Sequence, residues 1–205
     1  AEYRQAIQRA DAIIGQVLDG LDAQGLAAGT NIVLVSDHGM AALPEGQVLS
    51  TERMLDPAVA VATSVGQPVG FQATPGRERE AERALLGRHD HYQCWKRAEL
   101  PPRWQYGQHP RTPPIVCEMD EGWDALTPDM LARHAHAYRG THGYDNTLPS
   151  MRAVFVATGP SFAAGRTVEG FDNVDVYPLL ARLLNVPAAA NDGNPDTFDA
   201  VLRPH

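Results

Sequence analysis

Asn31-Ile32-Val33-Leu34-Val35-Ser36-Asp37-His38-Gly39-Met40 joins an apolar, β-branched run to a carboxylate, an imidazole and a glycine. The run predicts a strand buried on both faces, as in a parallel sheet covered by helices. Open α/β sheets place their ligands at the carboxyl ends of such strands, which is where Asp37 and His38 fall. Carboxylate oxygen and imidazole nitrogen are both good zinc ligands. Gly39 permits a sharp turn, so side chains that would alternate faces inside a strand can converge. The competing reading is a turn in which Asp37 caps the next segment and His38 is a surface residue.

Upstream, Tyr3, Ile7, Ala10, Ile13, Ile14, Val17, Leu18 and Leu21 recur at three- and four-residue steps, which predicts an amphipathic helix with one core-facing stripe. Helix, turn and buried strand in that order are the grammar of α/β folds. Downstream, Pro44 and Gly46 break the chain, and Val48 to Met54 form a short strand or loop. Extended segments around Val59–Val65 and Pro68–Ala73, a helix within Gly76–Leu86, and strands at His91–Cys94–Trp95 and Pro114–Met119 compose a small α+β insertion. Proline-rich residues 101–114 connect its last two strands. Cys94 and Cys117 then lie in strands that can be neighbours, as a disulfide or as two buried thiols.

Arg139-Gly140-Thr141-His142-Gly143-Tyr144-Asp145-Asn146 is the second informative stretch. Glycines on both sides of His142 suit a loop whose backbone comes close to an ion or substrate. A further buried strand is expected at Ala153–Thr158, and a helix within Asp172–Val186 has Pro178 near its first turn. The organisation is then a core segment with the metal turn at 1–50, the insertion at 51–133, and a core segment with the second metal loop at 134–205.

The 205 residues suffice for one or two compact units, and no apolar run approaches membrane-spanning length. A net charge of -8 argues against coating an extended nucleic acid, while a local metal site can still attract a small phosphate. No signal peptide is expected, because Glu2, Arg4, Gln5, Gln8 and Arg9 interrupt any apolar segment at the amino end.

Ser36-Asp37-His38-Gly39-Met40, Thr141-His142-Gly143-Tyr144-Asp145-Asn146 and Pro149-Ser150-Met151-Arg152, in that order, resemble the nucleotide pyrophosphatase/phosphodiesterase family of the alkaline phosphatase superfamily. The likeness extends through Gly159-Pro160-Ser161-Phe162 and Asn173-Val174-Asp175-Val176-Tyr177 to Ala190-Asn191-Asp192-Gly193, and is loosest across the insertion. It implies the carboxyl-terminal part of an alkaline-phosphatase-like α/β sandwich, with a mostly parallel sheet covered by helices. It implies two zinc ions per complete site, with Asp37 and His38 as ligands of the metal beside a threonine nucleophile and His142 as a ligand of the second. The implied substrate is a nucleotide or another small phosphodiester. The family's nucleophile and remaining ligands precede the segment that matches Ala1, so the resemblance makes an amino-terminal half the partner and the chain alone inactive. It also implies an extracytoplasmic, periplasmic or secreted, location, with which a Cys94–Cys117 disulfide agrees.

Two other functions compete: a phosphonate or phosphomonoester hydrolase of the same superfamily, and a non-catalytic module with a vestigial metal turn. Asp145 and Asn146 are expected to brace their loop by local hydrogen bonds, and Arg152 to form an ion pair within the fold. The pairs His89/His91 and His134/His136 read as solvent-exposed histidines, since no third ligand accompanies either. Trp95, Trp104 and Trp123 read as core anchors.

Overall fold

The computed structural model describes residues 2–134 and 139–203. Its first elements are α1 (Glu2–Ala23), β1 (Ile32–Val35), β2 (Ala41–Leu43), β3 (Val48–Ser50), the single turn α2 (Thr51–Met54), β4 (Ala60–Ser64), β5 (Val69–Ala73) and α3 (Glu78–Leu85). There follow β6 (Gly87–Arg88), β7 (Tyr92–Lys96), β8 (Ile115–Met119), β9 (Asp124–Leu126), α4 (Pro128–His134), β10 (Arg139–Thr141), β11 (Phe155–Thr158) and α5 (Val176–Leu183). They make two compact units, residues 1–37 with 153–205, and residues 38–152. Residues 38–50 and 139–152 therefore pack in the same unit as the insertion.

In the first unit β1 and β11 pair antiparallel, from Ile32 opposite Thr158 to Val35 opposite Phe155. Alternation sends Val33, Phe155 and Ala157 toward a cluster of Phe162, Leu179, Phe198 and Val201. Leu34 and Val156 point the other way and are 39% and 54% exposed. The strand expected to be buried on both faces is thus covered on one. Among the described residues only β3 and β9 pair in parallel, so the parallel character of the sheet is visible at that pair alone. α1 forms as its periodicity predicts, yet its apolar stripe stays open, with Ile7, Ile13 and Val17 all more than half exposed.

The second unit is built on a five-stranded antiparallel sheet in the order β4-β5-β8-β7-β6. α3 lays Ala81 and Leu85 into a core with Val69, Phe71, Cys94, Cys117 and Met119. Cys94 and Cys117 stand opposite each other on β7 and β8 and are joined by a disulfide. Of the tryptophans, Trp95 and Trp104 meet edge to face at 5.1 Å, and Trp123 packs on the core cluster. The first histidine pair is not solvent-exposed. Each ring is half-buried because a neighbouring aromatic offers a stacking partner: His89 lies on Tyr92 and binds Leu85 O at 2.7 Å, and His91 lies on Trp123 with centroids 3.5 Å apart. Of the second pair, His134 ends α4 half-buried, and His136 falls outside the described residues. Among the described residues no helix is long and apolar enough to cross a membrane.

Candidate functional site

His38 and His142 are 104 positions apart in sequence, and a three-residue ladder brings them together. β2 and β10 run antiparallel with Ala41 opposite Thr141 and Leu43 opposite Arg139. That register carries the residues just before β2 alongside those just after β10. The two imidazoles stack, with centroids 3.5 Å apart and planes inclined by 14°. Neither strand is evident from sequence, since Ala41-Ala42-Leu43 and Arg139-Gly140-Thr141 are too short to show a period.

Two glycines make the approach possible. Gly39 donates its N–H to Met151 O at 3.0 Å, and a Cβ there would stand 2.0 Å from Ser150 O. Lack of a side chain, rather than an unusual φ, is what this position requires. Gly143 has φ +97°, and a Cβ on it would stand 2.2 Å from Gln67 O. Both conditions exclude any other residue beside His142 without backbone movement.

His38 Nδ1 lies 2.7 Å from Gly39 O. A carbonyl only accepts, so Nδ1 carries the proton, and in the neutral ring Nε2 keeps the lone pair. A hydrogen bond that fixes the tautomer in this way is the usual support of a metal-binding histidine. Because imidazole lone pairs lie in the ring plane, nearly parallel rings at stacking distance direct them side by side rather than onto one ion. The pair therefore suits ligands of two neighbouring ions better than a chelate of one. Asp37 closes the other unit: it is exposed, and its carbonyl accepts from Asn173 Nδ2 at 3.3 Å. Ser36 secures the same turn, donating its N–H to Val154 O at 3.0 Å and accepting Val154 N–H on Oγ at 2.8 Å. The donor types fit zinc, but among the described residues no group of three or more His, Cys, Asp or Glu gathers as a metal site.

The loop after His142 is held from several elements. Tyr144 is buried and donates its hydroxyl to Trp123 O at 2.8 Å, and burial pushes its pKa up to about 12. Asp145 accepts from Thr147 N and Oγ1 at 2.8 and 2.6 Å, the local bracing its residue type predicts. Arg103, from the proline-rich connection, adds a fork onto both Asp145 carboxylate oxygens and reaches Asn146 Oδ1 at 3.0 Å. The guanidinium holds the Asp145 carboxyl well below the usual carboxylate range. Glu118 on β8 is half-buried, and burial followed by the Asp145 charge raises it to about 7.

Under β10, Arg139 meets the buried Asp124 of β9 at 2.9 Å, and Asp124 also accepts Ala125 N–H at 2.8 Å. This ion pair fixes the strand that delivers His142. Sequence reasoning passed over Arg103, Glu118, Asp124 and Arg139. A lone carboxylate inside Trp123-Asp124-Ala125-Leu126 is the one signal that a buried partner was needed. Arg152, expected in an ion pair, is exposed and forms none with another described residue.

An Asp-His-Gly turn after a strand and a Gly-flanked histidine paired with it define a class, and residues 1–145 match the model of the type I phosphodiesterase/nucleotide pyrophosphatase family. The chain belongs to that family. Over 98% of its length it is 30% identical to an uncharacterised pyrophosphatase/phosphodiesterase of Schizosaccharomyces pombe, of which it covers 43%. It is similar to human ectonucleotide pyrophosphatase/phosphodiesterase 5, whose solved structure it matches with a TM-score of 0.89 at 28% identity, over 98% of this chain and 52% of that one. The murine counterpart, solved as an inactive threonine-to-alanine variant in complex with AMP, matches with a TM-score of 0.88 at 31% identity over 96% of this chain and 52% of that one. These likenesses establish the alkaline-phosphatase-like α/β fold. The chain spans about half the length of the relatives it matches.

Proposed function

We propose that these residues are the carboxyl-terminal part of a zinc-dependent phosphodiesterase or nucleotide pyrophosphatase that cleaves phosphodiester or pyrophosphate bonds in nucleotides or related small phosphodiesters. Asp37 and His38 serve the metal beside a threonine nucleophile, and His142 serves the second metal. The nucleophile and the other ligands come from an amino-terminal half. The chain alone is catalytically incompetent, and the parent works outside the cytoplasm, in keeping with the Cys94–Cys117 disulfide.

The observation that carries this reading is the His38–His142 pair, with the His38 tautomer set by Gly39 O. When bound, two zinc ions lower the pKa of the attacking hydroxyl and offset charge on the phosphoryl oxygens. The role of this chain is to orient: Gly39 and Gly143 admit the backbones, β2 and β10 set the spacing of the two rings, and Tyr144 and Asp145 hold the His142 loop. Family membership and a relative solved with AMP support a nucleotide substrate.

The test is metal analysis of the chain joined to its amino-terminal half. Two zinc ions per molecule are expected, with one lost in His142→Ala. Full retention of zinc in both His38→Ala and His142→Ala would overturn the assignment and favour a non-catalytic interaction module.

A further inference from the structure

The family motif ends on Asp145 and Asn146, but the strongest bonds to those side chains come from outside the motif. Arg103 lies on a 3-10 turn at Pro102–Trp104, more than forty residues earlier in the insertion. Its guanidinium grips both Asp145 oxygens, reaches Asn146, and lies 5.7 Å from the Trp104 ring centroid, whose partner Trp95 belongs to β7. A planar fork on a carboxylate fixes orientation as well as distance. We propose that Arg103 is the positioning residue for the His142 loop, acting through Asp145.

What this means for catalysis rests on His142 being a metal ligand; the brace itself does not.

The test uses the full 205-residue chain with Arg103→Ala and Arg103→Lys. The Thr147 and Leu148 amides, bonded to Asp145 Oδ1 and Asp145 O, report the loop, and the β7 and β8 amides serve as reference. Arg103→Ala should speed exchange at Thr147 and Leu148 about tenfold, the equivalent of one pKa unit of coupling, with β7 and β8 unchanged and Arg103→Lys between. Unchanged loop exchange in Arg103→Ala, or acceleration shared equally by β7 and β8, would overturn the proposal. Zinc content of the chain joined to its amino-terminal half separates the two claims: full retention of zinc in His142→Ala there sinks the ligand reading, while the exchange data still decide the brace.

Discussion

In residues 38–152 the apolar positions close on one another: Leu43, Val69, Leu85 and Cys117 are fully buried. In residues 1–37 and 153–205 Phe162, Leu179, Phe198 and Val201 close a small cluster, but other apolar positions stay open, with Tyr3 and Leu184 both 72% exposed and Leu34 and Val156 uncovered on the strands. Single exposed apolar side chains are normal, but a stripe at helical spacing together with a strand face is not. One unit satisfies its apolar pattern from its own residues, while part of the pattern of the other stays exposed. Under the proposed function that exposed part meets the amino-terminal half.

Breaking the buried Arg139–Asp124 pair should test the self-sufficient unit hardest. Asp124→Ala leaves a largely buried guanidinium and is expected to cost about 3–5 kcal/mol in denaturant unfolding. A loss below about 1 kcal/mol, the scale of a surface pair, would mean that β10 is held by something else. Next comes the disulfide. Removing the Cys94–Cys117 link, which closes a 23-residue separation, should cost about 3 kcal/mol by loop entropy. Mass measured with and without reductant checks that the bond is present.

Proton linkage sharpens the comparison further, because among the described residues the groups with large shifts all lie in residues 38–152. Glu118 has a folded-state pKa raised to about 7. The folded state holds that proton more tightly than the unfolded chain, so stability falls as pH rises from the ordinary carboxylate range through 7. Asp145 is shifted down, so its contribution is present above the ordinary carboxylate range and is lost as pH falls through its folded value. Glu118→Gln should therefore be more stable than wild type at alkaline pH and equal to it in acid. A melting series against pH in both proteins reads this directly. The smallest effects belong to the open unit. Ile13→Ser or Val17→Ser on α1 should change the stability of this chain by no more than about 0.5 kcal/mol, and under the proposed function should weaken association with the amino-terminal half. A large loss in the isolated chain would show that the stripe is already buried.

Legibility in the sequence followed period and length. α1, β1, the insertion strands, α3 and α5 announce themselves through spacing, and the neighbouring positions of Cys94 and Cys117 followed from two strong strand signals. The Asp37-His38-Gly39 turn and the His142 loop were found by residue type and order. The ladder that joins them was not, because three residues per strand carry no period and their pairing spans almost a hundred positions. Antiparallel pairing of β1 with β11 also escaped, since a mainly apolar run reads alike in either direction and says nothing of its neighbour. Arg103 was invisible for another reason: it lies in a proline-rich connection, where only tertiary contact distinguishes a brace from a solvated charge.

The most direct test of the central claim is hydrolysis of a chromogenic nucleotide phosphodiester in the presence of zinc, by this chain alone and by the chain joined to its amino-terminal half. The expected result is no turnover above the zinc-containing buffer for the chain alone, and turnover in the joined protein that falls at least about a hundredfold in His142→Ala, the order of effect of losing one charge-stabilising group. Turnover at ordinary enzymatic rates by the isolated chain would contradict the account.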